Sequence, residues 1–408
     1  MSDLRGIMIL ACRLNHFPIG RSDMRKHNSI FGQILQLISR YEFQKIVSEH
    51  ASDRYYKKFS TWDHMVSMLF AQLTGQDGLR GIETGMASHM SKLYHLGSHH
   101  IKRSTLSYAN TNRDHHVFQE IFELVLKDVL KKAPRHSFPF PNDLYSIDAT
   151  TIDLCLSMFD WATFREKKGG IKVHVKLNHS GYLPSVVTVS TAKQHEVTQI
   201  NKMKLKTGDV VVFDRGYTDF EQYANYCDEN IYFVTRLKKN ANYKITKRND
   251  VSPYDLISSD HIIEPCGFYT KKKCPMKLRR IRVKDPETGK YIVLLTNHMK
   301  WTPDLIAAIY KDRWQIEIFF KTMKQNLKIK SFLGTSRNAV CIQIWIAMIT
   351  YLLLSYLKFL SRYPWTINSL MNVVPLLLFS RRCLLDWLNE PFESPPPPEE
   401  PSYQMVLW

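Results

Sequence analysis

Residues 310–324 read Tyr-Lys-Asp-Arg-Trp-Gln-Ile-Glu-Ile-Phe-Phe-Lys-Thr-Met-Lys. Four of them carry the argument: Tyr310, Arg313, Glu317 and Lys324, at offsets of 3, 7 and 14 from the tyrosine. A continuous helix turns about 100° per residue, so those offsets fall at roughly 300°, 340° and 320° and share one stripe. A helix that buries a stripe for stability makes it apolar. This stripe holds a carboxylate, two cations and a phenol. A solvated face with Glu–Arg and Glu–Lys pairing would have the same spacing. So would a metal-holding carboxylate beside a polyanion.

The same stretch resembles a family signature. Tyr-x2-Arg-x3-Glu-x6-Lys marks bacterial transposases of the insertion sequence 4 family, and Tyr310, Arg313, Glu317 and Lys324 meet every fixed position. The resemblance implies a catalytic set of three carboxylates. It directs attention to two aspartates upstream, at strand ends.

The pattern offers both. Residues 145–154, Tyr-Ser-Ile-Asp-Ala-Thr-Thr-Ile-Asp-Leu, read as a strand with Asp148 in its middle. A carboxylate in a half-buried strand is costly unless paired or bound to metal. Val210–Phe213 is an unbroken apolar run, as in a strand buried on both faces, and it ends on Asp214 with Gly216 as the turn. Sites in α/β sheets gather at the carboxyl ends of strands; a helix N-cap would also suit Asp214. Asp143, Asp153, Asp160 and Asp209 are rival carboxylates, Asp153 lying on the opposite strand face from Asp148.

Residues 171–179 alternate apolar and polar, Ser180-Gly181 reads as a hairpin turn, and 182–191 form the returning strand. A helix near 194–206, the Asp214 strand, a helix near 219–229 and a strand at Tyr232–Lys238 follow. That order predicts an α/β fold: a ribonuclease-H-like core with a mixed five-stranded sheet and helices. The first and fourth strands are then neighbours, and Asp148 faces Asp214. Asp148, Asp214-Arg215-Gly216-Tyr217 and the Tyr310–Lys324 segment match the three catalytic blocks of these transposases in order. Glu317 follows Asp214 by 103 positions, too many for one helix and one strand. Family members carry a β-rich insertion there, and residues 241–300 have β-like runs such as Tyr291–Thr296.

The resemblance implies metal-dependent cleavage at insertion-sequence ends and strand transfer into target DNA. Asp148, Asp214 and Glu317 are the expected catalytic and metal-holding residues, with two Mg2+ ions, or Mn2+ as substitute. Tyr310, Arg313 and Lys324 are then phosphate contacts, and Arg215 is a further candidate. The partner is double-stranded DNA, both terminal inverted repeats and target, held by a homodimer on paired ends. The same carboxylates would also serve a nuclease without strand transfer, or persist in an inactive DNA-binding regulator.

Charge agrees with a nucleic-acid partner: 56 Lys+Arg against 38 Asp+Glu give a net +18. Basic clusters occur at Lys202/Lys204/Lys206, at Arg236/Lys238/Lys239, and from Lys271 to Lys284. The last lies in the insertion, where Arg279 and Arg280 are expected to grip a DNA end. Residues 24–135 read as a helical N-terminal domain. Ile30, Ile34, Leu35, Leu37 and Ile38 make one stripe, and Phe118, Ile121, Phe122, Val125, Leu126 and Val129 make another. Arg103-Ser104-Thr105-Leu106, followed by Ala109-Asn110, resembles the N-terminal domain of one family branch. Ser104 or Thr105 could cap a DNA-contacting helix there.

Residues 1–23 are expected to be a poorly ordered extension, with Met24 as an alternative start. Residues 142–385 form the catalytic domain around the 241–300 insertion, and 386–408 a Pro-rich disordered tail. Asn338–Leu357 carries no charge over 20 positions, but Gln343, Thr350 and Ser355 make it a buried core helix rather than a membrane span. The seven cysteines form no ligand cluster, and His99, His100, His115 and His116 show no metal spacing. His195-Glu196 is a candidate neighbour of the metals. No glycine-rich phosphate loop points to a nucleotide cofactor. A cytoplasmic, nucleoid-associated bacterial protein is the expectation.

Overall fold

The computed structural model describes residues 28–155, 158–165, 168–191, 203–251, 256–286, 289–325, 327 and 332–392. The expectations for residues 1–23, for Met24, for Lys202, for most of the 194–206 helix and for His195-Glu196 lie outside the described residues.

Among the described residues, seven α-helices precede the first strand: α1 (Ile30–Leu35), α2 (Arg40–Glu49), α3 (Thr61–Thr74), α4 (Leu79–Ala87), α5 (Met90–Leu93), α6 (Arg103–Asn112) and α7 (His116–Leu130). Ser29 caps α1, and Ser60 with Asp63 forms a capping box at the start of α3. α3 ends on Gly75 at φ 65, a left-handed position that glycine takes without a Cβ clash. The expected apolar stripe of α7, Phe118 through Val129, is buried. α6 departs from expectation at its start. Its N-cap is Lys102, with no side-chain cap bond, and Ser104 is an exposed residue inside the first turn.

The sheet has ten strands: β1 (Leu144–Leu154), β2 (Thr163–Arg165), β3 (Lys168–Asn178), β4 (Leu183–Thr191), β5 (Val210–Phe213), β6 (Tyr232–Arg236), β7 (Tyr243–Asn249), β8 (Ile257–Pro265), β9 (Leu278–Lys284) and β10 (Tyr291–Thr296). β3 pairs antiparallel with β1 and β4, while β1–β5 and β5–β6 are parallel. The order β4-β3-β1-β5-β6, with only the first three antiparallel, is the ribonuclease-H-like topology. The insertion does not stand apart from it. β10 pairs antiparallel with β6, and β9, β8 and β7 follow, so the insertion extends the same sheet.

Helices α8 (Phe220–Asp228) and α9 (Phe268–Lys273) lie between strands, and α10 (Pro303–Asp312) and α11 (Gln315–Gln325) follow the sheet. The chain closes with α12 (Arg337–Leu360), α13 (Ile367–Leu377) and α14 (Leu384–Asn389). α12 is long and apolar enough to cross a membrane, yet its apolar window is wholly buried. It packs on α3, α6, α7 and β4, so one continuous core joins the N-terminal helices to the sheet. Asn338, near its start, donates to the carbonyls of Asn110 (2.9 Å) and Arg113 (2.6 Å) and accepts from the His115 amide (3.1 Å). The boundary expected at residue 386 falls too early. α14 continues to Asn389 with Trp387 and Leu388 buried, because their apolar surface completes the core. Residues 393–408 lie outside the described residues.

Candidate active site

Strand alternation decides which way each carboxylate points. Leu144 of β1 and Val210 and Val212 of β5 pack with Ile306, Ile309 and Tyr310 of α10. Ile147, Val211 and Phe213 lie in the core on the other side. Asp148 and Asp214 share the parity of the first set, so both face the α10 side. The parallel register pairs Ile147 with Phe213, which sets the two aspartates level on neighbouring strands.

The third carboxylate arrives on α11. Thr302 caps α10 by accepting from the Leu305 amide, and Pro303 opens its first turn. The Tyr310 hydroxyl donates to Asp214 Oδ1 at 3.3 Å. Arg313 lies between the other two acids, with Nη2 2.7 Å from Glu317 Oε1 and Nη1 3.7 Å from Asp148 Oδ2. Its side chain is 12% exposed. Burial disfavours the Arg313 charge, but Tyr310, the bond to Glu317 and the Asp148 carboxylate outweigh burial and raise its pKa. Burial likewise pushes the Tyr310 phenol up to about 12; Arg313 opposes this and Asp214 adds to it. The structure therefore brings Asp148, Asp214, Glu317, Tyr310 and Arg313 together. Lys324 lies seven residues beyond Glu317 on α11, half-buried.

The signature is not one continuous helix. α10 ends at Asp312 and α11 begins at Gln315. Across the joint, the amides of Arg313, Trp314, Ile316 and Glu317 bond to carbonyls three residues back. These tighter turns interrupt the regular helical ladder, so the four signature residues are divided between two helices rather than set on one continuous stripe.

Asp312 sits at that joint and was not singled out from sequence. Its carboxylate accepts from His179 Nδ1 at 2.6 Å and from the Tyr182 hydroxyl at 3.3 Å, and His179 Nε2 lies 2.7 Å from Ser146 Oγ. The available signal was position. Asp312 lies between two signature residues, but on the opposite side of a helix from their stripe.

Arg215 is exposed and lines an open cleft with Asp214, Gly216, Lys238, Lys239 and Asn240. Arg279 contradicts its expected role. It is 4% exposed, paired with Asp260 at 2.9 Å (Nε) and 2.7 Å (Nη2), and bonded to the Trp301 carbonyl at 2.6 Å. Strand alternation turns it into the sheet–α10 core, where a buried guanidinium must spend its donors internally. Arg280 points the other way. It is half-buried, 3.2 Å from Ser259 Oγ and near the exposed Arg282 and Lys284.

Among the rivals, Asp143 and Asp153 are exposed, and Asp209 accepts from the Lys206 amide at 2.8 Å. The Asp160 side chain lies outside the described residues. Asp114, His115 and His116 come within metal-binding reach of one another. Asp114 accepts from both the amide and Nδ1 of His116, at 3.0 and 2.7 Å, a helix-start contact that needs no ion.

Asp148, Asp214 and Glu317 offer hard oxygen donors, the set that suits Mg2+ or Mn2+. That one guanidinium reaches both Asp148 and Glu317 shows these acids close enough to share a positive charge. The residues present thus fit the divalent ions expected of such a site.

Comparison with known proteins agrees with this geometry. Residues 139–353 match the family described as Transposase DDE domain, and residues 26–99 match a domain of unknown function, DUF4372. The chain is 32% identical over 302 residues to "Putative transposase y4zB" of Sinorhizobium fredii, covering 73% of this chain and 82% of that protein. It is 25% identical to "Probable transposase for insertion sequence element IS5377" of Geobacillus stearothermophilus, over 89% of this chain and 94% of the relative. It is also 25% identical to "Putative transposase for insertion sequence element IS4SA" of a Synechocystis strain, over 76% and 87%. With a ribonuclease-H-like sheet, Asp148 and Asp214 level on adjacent strands and the Arg313–Glu317 pair brought to them, this chain belongs to the DDE transposase family and is a DNA transposase.

Proposed function

We propose that Asp148, Asp214 and Glu317 carry the phosphodiester chemistry of this transposase, cutting at the ends of its insertion sequence and joining them to target DNA. One observation supports this above others: Tyr310 and Arg313 tie all three carboxylates into one polar cluster on the α10 side of β1 and β5. Divalent ions held by these acids would supply activation of the attacking oxygen and neutralisation of the leaving one. Arg313, Lys324 and the exposed Arg215, Lys238 and Lys239 supply positive charge to hold the DNA backbone. Tyr310 orients Asp214.

DNA ends are gripped by two further surfaces in this reading. One is the insertion face carrying Arg280, Arg282 and Lys284. The other is α6, which presents Arg103, Ser104, Ser107, Tyr108 and Thr111 to solvent and contains no acidic residue. The Tyr56 ring, 6.2 Å from Tyr108, brings the exposed Arg54, Lys57 and Lys58 beside that helix. Such a face suits the major groove. Two copies acting on paired ends complete the assembly.

The test uses a labelled duplex bearing the element's terminal repeat, a plasmid target and Mg2+ or Mn2+. Metal-dependent nicking and joining by the wild type, both lost in Glu317→Gln with DNA binding retained, are expected. Nicking without joining would reduce the reading to a nuclease. Unimpaired activity of Glu317→Gln would refute the assignment.

A further inference from the structure

The joint between α10 and α11 poses a mechanical problem. Its three-residue-back hydrogen bonds do not by themselves fix where α11 points, yet α11 carries Glu317 and the joint carries Arg313. Something outside the helices must fix the joint against β1.

The hydrogen-bonded chain Ser146–His179–Asp312 spans that gap. Ser146 belongs to β1, two residues before Asp148 and on the same face, and is 0% exposed. The His179 side chain is 0% exposed and follows β3, its amide held by the Leu144 carbonyl at 2.9 Å. Asp312 is the last residue of α10. A carboxylate oxygen accepts from His179 Nδ1–H, and the other ring nitrogen shares a hydrogen bond with the Ser146 hydroxyl. Every polar atom of the ring is thereby satisfied inside the core.

Asp312 is a poor choice for helix stability, since the carbonyl end of a helix repels an anion. Two donors offset this, His179 Nδ1–H and the single Tyr182 hydroxyl, which is equidistant from both carboxylate oxygens at 3.3 Å. The turn that supplies both donors is itself fixed in place. Gly181 has φ +73, a Cβ there would lie 2.7 Å from the Phe359 ring, and the Tyr182 carbonyl accepts from Tyr351 of α12.

We propose that Ser146, His179 and Asp312 are positioning residues: a buried clamp that sets the distance between Asp148 on β1 and the Arg313–Glu317 joint. The proposal rests on Asp148, Asp214 and Glu317 being the catalytic carboxylates. A serine, a histidine and an aspartate in this order could suggest a nucleophilic triad, but Ser146 is closed to any substrate and attacks nothing.

The experiment uses full-length protein with Ser146→Ala, Asp312→Asn, the double variant, Tyr182→Phe and Glu317→Gln. Mn2+ affinity without DNA is read by electron paramagnetic resonance, alongside terminal-repeat binding and single-turnover cleavage in Mg2+. Supporting groups beneath metal ligands alter metal affinity by about 10- to 100-fold. Ser146→Ala and Asp312→Asn should therefore weaken Mn2+ binding and slow cleavage by about tenfold or more, with DNA affinity within about twofold of wild type. The double variant should be no worse than its worse parent, because either change opens the same chain. Tyr182→Phe, which leaves the link to β1 intact, should change cleavage less than either. Melting temperatures that fall while Mn2+ affinity and cleavage stay at wild-type values would overturn the clamp. If Asp312→Asn fails to fold, Ser146→Ala, which removes one hydroxyl, decides alone. Cleavage surviving in Glu317→Gln would instead overturn the catalytic assignment.

Discussion

The Tyr310 hydroxyl donates to Asp214 Oδ1 at 3.3 Å, joining the last turn of α10 to the end of β5. The phenol is largely buried and stays protonated across the working pH range, because burial and Asp214 lift its pKa to about 12. It is therefore a permanent donor. Tyr310→Phe keeps the ring and removes the donor. A hydrogen bond to a charged group contributes about 1.5–3 kcal/mol, less at this length. Single-turnover cleavage should fall roughly tenfold with little change in DNA affinity. An unchanged rate would show that Asp214 needs no such orientation.

Arg313 yields a prediction with two opposite signs. Its guanidinium lies between Asp148 and Glu317. Arg313→Ala removes a competing cation, so Mn2+ should bind the DNA-free protein more tightly. The same change removes charge beside the phosphate, so cleavage should fall about 100-fold. Calorimetry and single-turnover kinetics read the two effects. Weaker Mn2+ binding would mean that Arg313 holds the acids in place rather than competing for them.

Arg279 and Arg280 are adjacent in sequence and should fail differently. Arg279→Ala leaves Asp260, 2% exposed, as an unpaired buried carboxylate. Such a loss costs about 3–5 kcal/mol, visible in chemical denaturation. Arg280→Glu lies on the half-exposed face and should leave folding near wild type. It should also weaken DNA binding and lower its salt dependence. The reverse pattern would place the DNA contact on the wrong face of β9.

Acid should loosen the N-terminal helices. His64 is 0% exposed, with Nε2 2.7 Å from Asn110 Oδ1, and burial, then Arg113, depresses its pKa to about 3. The unfolded histidine takes a proton near pH 6.5. Between pH 6.5 and about 3 the unfolded state therefore binds more protons than the native one. The stability is complete above pH 6.5 and is lost as pH falls through that window. Melting temperature against pH should slope less steeply for His64→Phe than for wild type below pH 6.5. Equal slopes would assign the acid sensitivity elsewhere.

Much of the candidate site was legible because strand alternation, apolar runs and the Tyr310–Lys324 spacing are local patterns. The apolar run ending on Asp214 and the strand through Asp148 follow from alternation and apolar runs alone. What stayed hidden involves partners far apart in sequence. Asp312 meets His179 across 133 residues, and no local pattern reports such a pairing. Arg279 read as a basic-cluster residue because charge counts do not say which face of a strand it occupies. The break at Arg313–Trp314 was invisible for a related reason, since the residues between Asp312 and Gln315 include neither glycine nor proline.

The sequence by itself determined the carboxylates, the signature residues and the order of strands, because each is written in local spacing and hydrophobic period. Only the tertiary structure decided that the signature is split between two helices, that a buried serine–histidine–aspartate chain links their joint to β1, and that the insertion extends the core sheet through β10. Those features depend on which surfaces meet after folding, and surfaces meet through packing and hydrogen bonding between residues the chain separates by dozens of positions.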